Sequence, residues 1–152
     1  MNAYQTIADT QDRVGESPVW DVRGQRLWWV DIEGPFIRCT EPGASAAVQS
    51  WRMPERVGCI ALRDRGTLIA AMETGIFEVT LAEPPLAHIS LLAGVSHPQP
   101  GMRFNDGRCD RQGRFWAGTM VRDMGARVAR RLLVLAHGDA TMAAQARARV
   151  LV

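Results

Sequence analysis

Apolar residues in this chain gather into short runs that break at Gly, Pro or Asp every eight to twelve residues or so, the texture of an all-β chain. Three stretches share one plan: an Asp, a glycine two or three residues later, then an apolar or aromatic strand. They are Asp21 to Gly24 ahead of Leu27-Trp-Trp-Val-Asp31, Asp64 to Gly66 ahead of Leu68-Ile-Ala-Ala71, and Asp110 to Gly113 ahead of Phe115-Trp-Ala-Gly118. Asp bonds to its own backbone and Gly accepts positive φ, so each plan predicts a tight hairpin turn. Gly24 and Gly66 are 42 residues apart, and Gly66 and Gly113 are 47 apart. A strand-turn-strand unit recurring at that period predicts propeller blades, each a small four-stranded sheet. A β-sandwich with three similar hairpins is the competing reading. Eight prolines, all at or before residue 100, oppose long helices there.

Length limits how much of a propeller is present. At 152 residues the chain can bury one core. Four blades of about 45 residues need about 180, and six need about 270. About three blades are therefore expected over residues 1–125. Such an arc leaves an unpaired edge and an exposed blade face, so the chain is expected to be a fragment or to associate with another copy. Residues 126–152 change texture, with eight Ala, five Arg, one glycine and no proline or aromatic residue. This composition favours helix. Two expectations follow: a C-terminal helix docked on the open edge, or a shift of reading frame near Gly125.

Eighteen basic and sixteen acidic residues leave a net charge of +2, with no clustered basic face of the kind that holds nucleic acid. No apolar run approaches the length of a membrane helix. The first residues lack the basic and apolar regions of a signal peptide. Cys39, Cys59 and Cys109 are odd in number and widely spaced, which suits buried reduced thiols; Cys109 is expected within an apolar strand position. A cytoplasmic protein is the expectation. His88, His97 and His137 show no zinc-binding spacing, and neither a serine-hydrolase elbow nor a phosphate loop is present.

Two places carry candidate chemistry. Glu16, in Gly15-Glu-Ser-Pro-Val-Trp20, stands just ahead of an apolar strand, with Pro18 holding Ser17 extended. It reads either as an oxygen ligand for a hard divalent cation or as a solvated turn residue. The second place is Arg103-Phe-Asn-Asp-Gly107. In a strand, Arg103 and Asn105 share one face, with Phe104 buried behind them. Their donors and acceptor suit an oxygen-rich or carboxylated small molecule. Asn105-Asp-Gly107 as a plain turn is an equal alternative.

These motifs, with Gly113-Arg-Phe-Trp-Ala-Gly-Thr-Met120, resemble the family of gluconolactonase, regucalcin and luciferin-regenerating enzyme over about residues 10–124. The resemblance implies the N-terminal part of a six-bladed propeller with one divalent metal (calcium, zinc, magnesium or manganese) and hydrolysis of sugar lactones. It matches Glu16 to a metal ligand, and Arg103, Asn105 and Asp123 to substrate contacts. The family's other two protein metal ligands, an Asn and the Asp that is its expected general base, have no counterpart here. The metal site is therefore expected to be incomplete, with no catalytic base retained. A non-catalytic propeller fragment that binds a partner through its open edge is the alternative function, and a luciferin-regenerating or calcium-binding role is a further variant.

Overall fold

A computed structural model of the protein describes residues 6–43 and 47–122, with the strand backbones of 132–135 and 149–151. The first sheet contains β1 (Gly15–Asp21), β2 (Arg26–Asp31), β3 (Phe36–Thr40) and β4 (Gln49–Arg52), and the second β5 (Val57–Leu62), β6 (Leu68–Met72), β7 (Gly75–Leu81) and β8 (Ala87–Gly94). The third contains β9 (Met102–Cys109), β10 (Phe115–Val121), β11 (Leu132–Leu135) and β12 (Arg149–Leu151). Within each sheet the four strands lie in chain order and pair antiparallel. These are three blades of a propeller, and the described residues include no helix.

Burial follows position in the arc. The middle blade is covered on both sides, so every residue of β6 and all but the last of β5 are buried. Continuous apolar runs such as Leu-Ile-Ala-Ala-Met are what two covered faces require. Val57, Ile60, Leu68, Ala70 and Met72 pack against the first blade with Trp28, Val30, Ile37 and Trp51. Cys59, Ala61, Ile69 and Ala71 pack against Phe104, Phe115 and Ala117 of the third. Trp28 and Trp51 stack at 5.7 Å between centroids. Such a pair adds about 0.5–1.5 kcal/mol beyond the area it buries. In β10, residues alternate between buried and half-buried, so this outer blade has one covered face.

Three local expectations need correction. Helix was expected after residue 125, yet Leu132–Leu135 is a strand paired with β10, and Arg149–Leu151 pairs with β11. The open edge of β10 offers backbone partners to the run Leu-Leu-Val-Leu, and that pairing overrides the helical preference of the surrounding Ala and Arg. The other residues of 126–152 lie outside the described part. Gly66 and Gly113 do take positive φ, at 74° and 75°, but in the first blade Gln25 does so instead of Gly24. There the Asp21 carboxylate accepts bonds from the N–H groups of Arg23 and Gly24, and the turn closes one residue later. Finally, Cys39 and Cys59 are buried, but Cys109 is exposed at the end of β9.

Candidate functional site

The first strands of the three blades, β1, β5 and β9, lie side by side with β5 in the middle. Each carries an irregularity near its start. Ser17 and Pro18 interrupt the pairing of β1 with β2, Gly58 that of β5 with β6, and Asn105 and Asp106 that of β9 with β10. A bulge bends its strand and re-aims the neighbouring side chains. The three bulges fall at the same end of the three blades, which we call the mouth.

Gly58 is required by crowding at the mouth. A Cβ there would lie 2.5 Å from the carbonyl carbon and oxygen of Phe104 and 2.8 Å from the nitrogen of Asn105. The missing side chain lets β5 approach the β9 bulge this closely. On the other side, the Ile60 N–H donates to Ser17 Oγ at 3.1 Å, pinning β1 to β5. Ser17 holds a φ of 54°, a left-handed conformation uncommon for a non-glycine residue and not the extended one expected ahead of Pro18.

Arg103 and Asn105 come together as the alternation rule expects. Arg103 Nη1 donates to Asn105 Oδ1 at 2.9 Å and to the Phe104 carbonyl at 2.8 Å. Phe104 is fully buried behind them. The segment Asn105-Asp-Gly107 runs through the interior of β9, so it forms a bulge and not a chain-reversing turn. Arg103 is 7 % exposed, its Nε has no partner, and no carboxylate of the described residues lies within ion-pairing distance. Burial pushes its guanidinium below the ordinary value; Glu33 opposes the shift, and Arg122 and Arg56 add to it. Asp106 is exposed and accepts the N–H of Gly107. Asp123 lies outside the described residues.

Glu16 sits at the same end, on the far side of β5, with an exposed carboxylate. Among the described residues, no three Asp, Glu, His or Cys side chains form a group that could hold a metal ion. A hard divalent cation takes six or more oxygens, several of them from the protein in a tight site. The described residues therefore do not make such a site on their own.

A further group at the mouth comes from loops that sequence reading passed over. Arg56, just before β5, donates from Nε to Glu33 Oε2 at 2.9 Å and from Nη1 to Glu73 Oε1 at 3.0 Å. Its backbone N–H meets Glu73 Oε2 at 3.4 Å, and Arg122 Nη2 lies 3.3 Å from Glu33 Oε2. The hydrogen bond from Arg56, more than the burial that opposes it, holds the Glu33 carboxyl below its usual range. Glu33, Arg56, Glu73 and Arg122 thus link all three blades. The only signal in sequence is position, since Glu33, Glu73 and Arg122 lie one or two residues beyond the end of a strand and Arg56 directly precedes one. Cys59, under the same bulges, is no nucleophile: burial, then the Asp106 charge, pushes its thiol far up.

The sequence profile of the SMP-30/Gluconolactonase/LRE-like region matches residues 14–149. The match continues past Gly125, through the stretch where a change of reading frame was expected. The chain is 39% identical over 115 residues to a 6-deoxy-6-sulfogluconolactonase of Pseudomonas putida, covering 70% of this chain and 35% of the relative. It is 36% identical over 122 residues to an L-arabinolactonase of Azospirillum brasilense (79% and 38%) and 34% identical over 119 to regucalcin of Xenopus laevis (78% and 38%). It spans little more than a third of the length of these relatives. A solved luciferin-regenerating enzyme superposes with a TM-score of 0.77 at 25% identity, covering 90% of this chain and 44% of that one. The solved calcium-binding protein regucalcin of Agrobacterium tumefaciens superposes at 0.71 and 24% identity, covering 91% and 42%, and supports the fold alone.

Proposed function

Because this chain belongs to the SMP-30/gluconolactonase/LRE-like family, we propose that it serves the hydrolysis of sugar lactones, with Arg103 and Asn105 as its substrate contacts. One observation carries the reading: Arg103 is buried at the mouth with no carboxylate partner among the described residues, and it is hydrogen-bonded to Asn105. A cation held this way lacks a natural acceptor, and the oxygens of a lactone or its hydroxy acid supply one. None of the described hydrogen bonds uses Asn105 Nδ2, which leaves a donor for a sugar hydroxyl. Two fixed groups on one bulge would orient the ring before water attacks its carbonyl.

Kinship with regucalcin and the lactonases supports a divalent ion near Glu16 and, by position, a contact from Asp123. A bound ion would polarise the carbonyl and acidify a water. The described residues offer it a single carboxylate, so the mechanism drawn from this chain ends at binding and orientation of substrate. Three free cysteines fit a reducing cytoplasm. The half-buried face of Trp116 and Met120 on β10 offers a surface for self-association.

Hydrolysis of D-glucono-δ-lactone, followed by acid release with calcium, zinc, magnesium or manganese added, tests the reading. Hydrolysis above the spontaneous rate that is lost with EDTA and in Arg103→Ala supports it. Activity indifferent to both sinks it. A second reading, a module that binds without turnover, is favoured by the solitary Glu16. It predicts that the chain binds D-gluconate but hydrolyses nothing.

A further inference from the structure

We propose that Arg56 and Arg122 are positioning residues that hold Glu33 and Glu73 away from Arg103, so that the buried guanidinium stays open to substrate. The inference rests on the reading of Arg103 as a substrate contact. It begins from a mismatch in pairing. Two carboxylates and two guanidinium groups bond to one another at the mouth, and the more buried Arg103 there is without an acid.

The placement follows from the strands. Arg103 pairs across the ladder with Met120, and Arg122 lies two residues further along the chain, just past the end of β10. The Arg122 N–H donates to the Gly101 carbonyl at 3.1 Å, which holds the two arginines at one edge of the third blade. Glu33 reaches across to Arg122 from the first blade. Arg56 stands between Glu33 and Glu73 with a hydrogen bond to each. Both acids bond to arginines packed at the same mouth, yet neither bonds to Arg103. Arg56 and Arg122 are the cations bonded to these acids.

Arginine suits this role because its planar fork can hold two carboxylates at once. Remove that fork and a freed Glu has a nearby buried cation whose Nε has no partner. A buried charge without a partner is costly, so the freed carboxylate would move to it. The new ion pair would compete with the oxygens of a substrate. A purely structural clamp would behave differently: breaking it would loosen the mouth, and removing the acids as well would repair nothing.

The test is a cycle read on the Nε–Hε resonance of Arg103, assigned by its loss in Arg103→Lys, and on the affinity for D-gluconate. In Arg56→Met the resonance shifts toward that of an ion-paired guanidinium, and gluconate affinity falls roughly tenfold, the scale of losing one charged contact. Adding Glu33→Gln and Glu73→Gln to Arg56→Met returns the resonance and restores affinity to within about twofold. An unmoved resonance in folded Arg56→Met, or a triple variant as impaired as the single, overturns the proposal. Should Arg56→Met fail to fold, Arg122→Met removes the half-exposed one of the two arginines that hold Glu33, and a smaller shift of the same sign is required. A resonance that moves as described in a protein that never binds gluconate upholds the positioning of Arg103 and removes the lactone reading instead.

Discussion

Replacing Gly58 with alanine puts a methyl group where no atom fits. The new Cβ would stand 2.5 Å from the Phe104 carbonyl carbon and oxygen and 2.8 Å from the Asn105 nitrogen, against an ordinary contact of 3.4 Å or more. These are backbone atoms, so no flexible side chain can yield. The β9 strand must retreat from β5 by some part of the roughly 0.9 Å shortfall, or Gly58 must bend the β5 bulge. Phe104 is fully buried, which leaves little room for either. Overpacking of this kind costs about 1–3 kcal/mol. At about 2–4 °C per kcal/mol for a domain this size, the melting temperature should fall by roughly 2–12 °C. The urea midpoint should fall with an unchanged slope. Gly43→Ala is the control, since a Cβ there meets nothing within 4 Å and φ is not positive; it should stay within about 0.5 kcal/mol. Gluconate affinity should drop in Gly58→Ala as well, because the displaced bulge carries Asn105. If Gly58→Ala melts together with Gly43→Ala, the close approach of β5 and β9 is wrong, and the geometry of the mouth falls with it.

Three other outcomes are expected. Ser17→Ala should cost about 1–3 kcal/mol by leaving the buried Ile60 N–H unpaired; Ser17→Gly should cost less, because glycine relieves the φ of 54°, and equal urea midpoints would argue against the strain. Burial raises the Asp110 carboxyl, but bonds from the Trp116 indole, the backbone and side chain of Arg114 and the backbone of Gln112 outweigh it and hold the group at about 2, below its ordinary 3.8. Its stabilisation is then complete above about pH 4 and vanishes as pH falls through 2, so wild type and Asp110→Ala should converge in acid urea titrations and keep a constant gap near neutrality. With a disulfide reagent under native conditions, the exposed Cys109 should react first, and the buried Cys39 and Cys59 only as fast as the protein opens; three thiols reacting at one rate would contradict the burial.

Much of the architecture was legible in the chain because burial imposes a pattern. Short apolar runs broken at Gly, Pro or Asp marked the strands, and the structure shows which blade is covered twice: β6 is buried throughout, whereas burial alternates along β10. The Asp and Gly repeat located all three hairpins, although Gln25 shows that a turn can move its strained residue by one position. The tail misled because its Ala and Arg favour helix in isolation, whereas Leu132–Leu135 answers to the unpaired edge of β10. At the mouth, Arg103 and Asn105 were readable because strand alternation alone brings them together. The Glu33–Arg56–Glu73–Arg122 chain was not, since its partners lie 17, 23 and 89 residues apart and meet only once three blades have packed.

The most direct test of the account is a titration of the isotopically labelled chain with D-gluconate, read on backbone amides. The account predicts saturable shifts centred on Arg103 to Gly107 and the neighbouring Gly58, absent in Arg103→Ala. Shifts centred on the Asp21, Asp64 and Asp110 turns at the opposite end of the blades, or none at any concentration, would contradict it.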